Sequence, residues 1–299
     1  MLFDEKTLRK LTRLTLVAKK IRAGAIKGER RSTKRGSSVE FADYRNYAPG
    51  DDLRRLDWNV YARHERPFIK LMEEEEDLAV HVLVDGSQSM DWGEGDANKF
   101  RYAQRLAAAL GAITLAAGDR LHASILYAGG DLNSRERTVS YGPARGQPSL
   151  SRYLSFLESA KARGTTDLNR SLRDYSLSFH RPGLAFLISD LFAAGGYQPG
   201  ISQLQSRGHE VVLVHLLSPD EVDPQLAGDL RLVDVETGQT QEVSLDGGLR
   251  DLYRRRVQSW QAEIQGYSRK YNIRYLPVTT EEPWDKVVLY EMRRAVIVK

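Results

Sequence analysis

Leu78-Ala79-Val80-His81-Val82-Leu83-Val84-Asp85-Gly86-Ser87-Gln88-Ser89-Met90 is the stretch whose reading decides the fold. Its first seven residues read as a buried strand, and a carboxylate and two hydroxyls leave the strand end at two-residue steps. In extended chain, residues i, i+2 and i+4 share a face, so Asp85, Ser87 and Ser89 can bring three oxygens together. Three hard oxygen donors without His or Cys suit Mg²⁺, with Mn²⁺ an alternative, rather than zinc. Alone the spacing is weak, because Asp and Ser are common turn residues.

Outward from this stretch, strands and helices alternate, the pattern of a parallel α/β sheet with helices on both faces. A helix is expected at Asn98 to Ala117, with Phe100, Leu106, Leu110, Ile113 and Leu115 as core residues. A strand follows at Leu121 to Tyr127, then a short edge strand near Arg137 to Tyr141. Helices are read at Ser149 to Ser159 and Asp167 to Phe179. Apolar strands come at Leu184 to Ser189 and Val211 to Leu217. Asp229 to Leu245 alternates like a hairpin around Thr237-Gly238-Gln239. A long helix at Leu249 to Tyr271 leads to a strand at Ile273 to Val278, and a last helix begins near Pro283.

Upstream, Leu8, Leu11, Leu14, Val17 and Ile21 recur at helical spacing, so residues 4–26 read as a basic amphipathic helix. Its apolar face could pack on its own domain, or make peripheral contact with a membrane or a partner. Residues 1–36 thus form a helix and loop. Residues 37–77 form a turn-rich β extension, with a turn at Ala48-Pro49-Gly50-Asp51-Asp52 and a strand at Phe68 to Met72. Residues 78–299 form the main domain.

The chain has 299 residues and no cysteine, which excludes disulfides, thiolate zinc sites and cysteine nucleophiles. No run approaches the ~18 apolar residues of a membrane span, and the N-terminus lacks an apolar signal core. These features point to the cytoplasm. The net charge is +4. Basic residues from Lys6 to Arg35 dominate the N-terminal arm and leave the remainder net acidic.

In open α/β sheets, ligands bind beyond the carboxyl ends of the strands, at the switch in strand order. Asp190 directly follows the strand Leu184 to Ser189. If that strand neighbours the one ending at Asp85, both carboxylates enter one crevice. The loop Arg163-Gly164-Thr165-Thr166-Asp167 adds the Thr166 hydroxyl just before a helix. Each element has a plainer reading: Asp190 as a turn residue, Thr166 as a helix cap.

Taken together, Asp85-x-Ser87-x-Ser89, Thr166 and Asp190 resemble the metal-ion-dependent adhesion site of von Willebrand factor A-type domains. Tyr44-Arg45-x-Tyr47-x-Pro49-Gly50-Asp51-Asp52-x-Arg54-x-Leu56-Asp57-Trp58-x-x-x-Ala62-Arg63 resembles the signature of the bacterial domain-of-unknown-function-58 family. The resemblance implies a doubly wound, Rossmann-like sheet of von Willebrand factor A type. It also implies Mg²⁺ held by Asp85, Ser87 and Ser89, with Thr166 and Asp190 direct or through water, and an open position for a partner's carboxylate. Members are often encoded beside MoxR-type AAA+ ATPases and are thought to act with them. The signature segment reads either as structural packing or as a docking surface using Arg54, Arg55 and Arg63.

The function expected is a non-enzymatic, metal-dependent protein-binding module. A metal-dependent, phosphatase-like hydrolase is the first alternative, but Asp85-Gly86-Ser87 lacks the second carboxylate of an Asp-x-Asp loop. The chain carries neither a Gly-x-Ser-x-Gly elbow nor a Gly-x-x-x-x-Gly-Lys-Ser/Thr phosphate loop. Nucleic-acid binding through the basic arm is the other alternative, and it predicts steep salt dependence.

Overall fold

The computed structural model describes residues 2–18, 39–74, 77–127, 138–179, 181–225, 228–233, 240–245 and 247–299. The chain divides into two compact units, Arg22–Asp77 and the combination of Met1–Ile21 with Leu78–Lys299.

In the smaller unit, β1 (Val39–Asn46) pairs antiparallel with β2 (Phe68–Glu74). The expected strand at Phe68 to Met72 is therefore one arm of a hairpin, and its partner β1 was not anticipated. Between them lie a 3₁₀ turn, Leu53–Arg55, and a seven-residue helix, Trp58–His64. Asp57 caps that helix by accepting from the Asn59 and Val60 amides at 2.9 and 3.2 Å.

The larger unit is built on a six-stranded sheet. Its strands are β3 (Ala79–Asp85), β4 (Arg120–Leu126), β5 (Val139–Ala144), β6 (Leu184–Ser189), β7 (Glu210–Leu217) and, after a separate hairpin of β8 (Gly228–Val233) and β9 (Thr240–Leu245), β10 (Arg274–Thr279). The order is β10-β7-β6-β3-β4-β5, all parallel except the antiparallel edge strand β5. Strand order reverses at β3, which lies between β4 and β6. Alternation along the strands feeds two cores. Val80, Val82 and Val84 face the helices Lys99–Ala116 and Leu150–Ser159, whereas Leu83 faces Leu168–Ser178 and Gln198–Ser206. All five core residues expected on the helix Lys99–Ala116 are buried.

The N-terminal helix is shorter than its periodicity suggests. It spans Glu5–Leu11, and Thr12 caps it. From residue 14 the burial period becomes two, with Leu14, Leu16 and Ala18 in the core. This segment pairs with the chain's last residues. Thr15 and Lys299 exchange backbone hydrogen bonds at 3.0 Å, and Val17 donates to Ile297 at 2.9 Å. Leu14-Thr15-Leu16-Val17-Ala18 satisfies both periods over so short a run, and the available strand partner decides between them. The rest of the expected helix, from residue 19, lies outside the described residues. So do the loop at 30–38 and the turn at Thr237-Gly238-Gln239.

Three imidazoles are packed in the larger unit. His81 stacks on His122 at 5.0 Å between ring centroids and meets His209 edge-on at 4.6 Å; its Nδ1 lies 2.6 Å from the Tyr175 hydroxyl. Burial holds His81 well below the ordinary imidazole value, lowers His209, and takes His122 to about 4. Unfolded imidazoles take protons from about pH 6.5 downward, where the folded ones stay neutral. The unfolded state then binds more protons, so stability is lost as pH falls from about 6.5 toward the folded values. Urea midpoints measured at about pH 7 and about pH 5 should therefore show a smaller acid loss in His122→Phe than in the wild type.

Candidate functional site

The carboxyl end of β3 meets that of β6, as two neighbouring parallel strands at the reversal of strand order require. Asp85 is the last residue of β3 and is 2% exposed. A carboxylate so placed must be hydrogen-bonded, and its donors come from three segments. Oδ1 accepts from the Ser87 amide at 3.0 Å and the Thr166 hydroxyl at 2.9 Å, and Oδ2 accepts from the Ser189 hydroxyl at 2.6 Å. Ser87 Oγ and Ser89 Oγ are 2.9 Å apart. Burial raises the Asp85 carboxyl above the usual carboxylate range, the Asp190 charge adds to this, and the bonds from Ser189 and Ser87 oppose it.

Backbone bonds hold the two loops together. Arg163 N–H donates to the Gly86 carbonyl and Gln88 N–H to the Gly164 carbonyl, each at 2.8 Å. Gly164 adopts a positive φ of 62°, where a side chain would add strain. Gly86 is required for space: a Cβ there would collide with the Tyr127 ring and the Ile125 side chain. Tyr127 is itself anchored, donating to the Lys161 carbonyl at 2.7 Å.

Asp190, 1% exposed, belongs to the same region, but a buried cation engages it. Oδ1 accepts from the Phe192 amide at 3.1 Å, and Oδ2 takes the Lys99 ammonium at 2.7 Å. Lys99 is fully buried and also pairs with Glu221 at 2.6 Å. A capping box fixes Glu221, because its other oxygen accepts from the Ser218 amide at 2.8 Å while Ser218 caps the Glu221 amide. Between Asp190 and Phe192, Leu191 sits at φ 60°, a left-handed conformation uncommon for a residue with a side chain. Its amide donates to Ser189 Oγ at 2.9 Å.

The structure therefore brings Asp85, Ser87, Ser89, Thr166 and Asp190 to one sheet edge. Their donor set is two carboxylates and three hydroxyls. Among the described residues, no group of three or more His, Cys, Asp or Glu could hold a metal ion. A hydroxyl that donates to Asp85, as Thr166 does, keeps its lone pairs for a cation, so an all-oxygen set centred on Asp85 fits a small hard ion. Three arginines were named in the other unit. Arg54 and Arg63 are exposed; the side chain of Arg55 lies outside the described residues.

Sequence reading missed Lys99, Glu221 and Ser189. Lys99 did carry a signal, since a cation at the first position of a helix opposes the macrodipole and needs a compensating anion. Ser189 was visible as the one polar residue closing an apolar strand. Glu221 carried the capping-box spacing from Ser218 but nothing that tied it to Lys99.

Residues 43–263 match the family described as "Protein of unknown function DUF58". An uncharacterized protein of Mycobacterium tuberculosis is 30% identical over 285 residues, which cover 94% of this chain and 87% of that protein. Among solved structures, the chain is similar to the conserved hypothetical protein BatB from Bacteroides thetaiotaomicron, with 15% identity and a TM-score of 0.43 over 73% of this chain and 98% of that one. It is also similar to an aerotolerance-related membrane protein from Bacteroides fragilis, with 15% identity and a TM-score of 0.45 over the same shares, 73% and 98%. The chain belongs to the DUF58 family.

Removing the ammonium from this site strands two carboxylates beside each other. Lys99→Met should cost about 3–5 kcal/mol of unfolding free energy, the range for breaking a buried ion pair. Adding Glu221→Gln should recover part of that loss, and urea denaturation of both variants reads the difference.

Proposed function

We propose that this DUF58-family chain is a non-enzymatic, metal-dependent protein-binding module of von Willebrand factor A type. One observation carries the reading. The Asp85 carboxylate and the Ser87, Ser89 and Thr166 hydroxyls converge at the switch point of a mainly parallel sheet. When bound, Mg²⁺, or Mn²⁺ in its place, supplies an electrophilic centre that attracts a carboxylate from a partner protein.

The chain's own residues prepare that role. Asp85 is the direct carboxylate, fixed by the Ser189 and Thr166 hydroxyls. The three neutral hydroxyls add ligands without adding charge. Asp190 is turned toward Lys99, so its part is to act through water and to hold the strand end in place. With one direct carboxylate, the cation keeps most of its charge for an incoming acid.

The partner we propose is a MoxR-type AAA+ ATPase or its substrate protein, with this chain as adaptor. The support is family membership together with the resemblance of the site. No described helix is long and apolar enough to cross a membrane, which is compatible with a cytoplasmic adaptor.

A ligand that binds only the native state raises the melting temperature. Saturating Mg²⁺ should therefore raise that of the wild type by about 4–5 °C, taking about 2.7 kcal/mol at a hundredfold excess over Kd. EDTA should reverse the rise, and Asp85→Ala should not show it. A wild-type melting curve indifferent to Mg²⁺ and EDTA would refute the metal site. Capture of an AAA+ ATPase from native lysate in Mg²⁺ but not in EDTA, and not by Asp85→Ala, would support the adaptor role.

A further inference from the structure

The helix Trp58–His64 in the smaller unit buries none of its residues. Seven-residue helices do not persist through backbone propensity alone. This one is held by local bonds at both ends: the Asp57 cap, and a chain reversal at Glu65 with φ 54° whose amide donates to Tyr61. Asp57 is braced in turn by the Tyr44 hydroxyl at 2.9 Å. The helix is thus pinned at both ends while none of its residues is fully buried. Trp58 is 63% exposed and Tyr61 43%, their rings edge to face at 6.1 Å, and Leu53, five residues before Trp58, is 55% exposed. Isolated exposed hydrophobics are ordinary, but a tryptophan and a tyrosine in contact on a short pinned helix are not.

Arginines predominate among the charged residues close to this helix in sequence. Arg54, Arg63 and Arg66 are exposed and make no ion pair among the described residues. Nearby acids are engaged locally. Asp57 is buried under its cap, Asp52 caps the Arg54 amide at 3.0 Å, and Asp51 holds Arg45 through two bonds of 2.6 and 2.7 Å. Glu65 is the exposed acid among the cations. Val60, His64 and Arg66 also line an open groove with Tyr44 and Phe68.

We propose that this helix and its flanks form a docking surface for an acidic protein segment that carries an apolar side chain. The apolar side chain seats against Trp58 and Tyr61, and carboxylates further along the segment pair with Arg54 and Arg66, which flank the helix. Tryptophan, tyrosine and arginine are the residues that dominate binding energy at such surfaces, and a guanidinium can grip a carboxylate with two parallel bonds. A nucleic acid fits less well: its dense phosphate charge calls for a longer basic stripe free of acids such as Glu65. The surface lies wholly within one unit.

The test uses the full chain and a fluorescein-labelled dodecapeptide of repeated Glu-Glu-Leu triplets, read by fluorescence anisotropy. Controls replace Leu with Ser or Glu with Lys. The Glu-Glu-Leu peptide should bind, and both controls should bind about tenfold more weakly or not at all. Trp58→Ala should weaken binding by about tenfold or more, and Arg54→Glu with Arg66→Glu should abolish it. These substitutions are at exposed positions, so unchanged melting curves should accompany the loss. Binding should persist in EDTA and in Asp85→Ala, which separates this surface from the metal site. No detectable binding, equal binding of the Lys-containing control, or wild-type affinity in Trp58→Ala would each overturn the proposal. So would tighter, Trp58-dependent binding of oligo-dT or of phosphatidylserine vesicles, which would point to a nucleic acid or a membrane instead.

Discussion

The buried carboxylate of Asp85 is the constraint on which the sheet edge depends. A carboxylate removed from water is tolerated only if its oxygens are hydrogen-bonded, and here no single loop supplies the donors. The Ser87 amide comes from the turn after β3, the Thr166 hydroxyl from the loop before the helix Leu168–Ser178, and the Ser189 hydroxyl from the end of β6. Satisfying one charge therefore fixes three chain segments to each other. Everything else at the edge follows from bringing those segments close enough. Gly86 lets the turn lie against Tyr127, and the paired backbone bonds between residues 86–88 and 163–164 hold the loops in register.

A second buried carboxylate next to the first adds repulsion, and the fold answers it with Lys99. The ammonium lies between Asp190 and Glu221, so the helix Lys99–Ala116, the end of β6 and the turn after β7 are tied by charge. Such a triad adds less net stability than its short distances suggest, because three desolvated groups offset much of their mutual attraction. Its clearer consequence is directional: Asp190 faces Lys99 with one oxygen and the Phe192 amide with the other. Asp85 and Asp190 are thus adjacent in space and different in role, one surrounded by neutral donors and the other by a cation.

How much of this was legible depended on the range of the interaction. The loop Asp85-Gly86-Ser87-Gln88-Ser89 and the strands before Asp85 and Asp190 could be read because their signals are local: apolar runs ending in a carboxylate. That the two strands are neighbours is a property of topology, inferred from the βα alternation and found in the β3–β6 pairing. Lys99 was not singled out, because nothing near it in sequence names partners 91 and 122 residues away. The N-terminal segment failed for the opposite reason. Leu11 and Leu14 fit a helical step, Leu14, Leu16 and Ala18 fit a strand step, and the deciding partner is the far end of the chain at residues 297–299. Sequence periodicity cannot weigh a strand partner that has not yet been placed.

Strain and exposed aromatic surface also gather around the site. Leu191 is held in a left-handed backbone conformation directly after Asp190, with the Ser189 and Asp190 side chains taking up the amides on either side of the kink. Such conformations persist only where the surroundings over-determine them. The kink places Phe192 at the surface, 45% exposed, where it stacks on Trp260 at 5.0 Å and lies 5.5 Å from the Lys99 ammonium. Trp92, on the loop after Ser89, is 48% exposed. Two large aromatic side chains thus flank, in sequence, the loops that carry the converging oxygens. Phe192, fixed by its stack on Trp260, is thus an exposed ring whose position is set in advance, so ordering it in any contact would cost little further entropy.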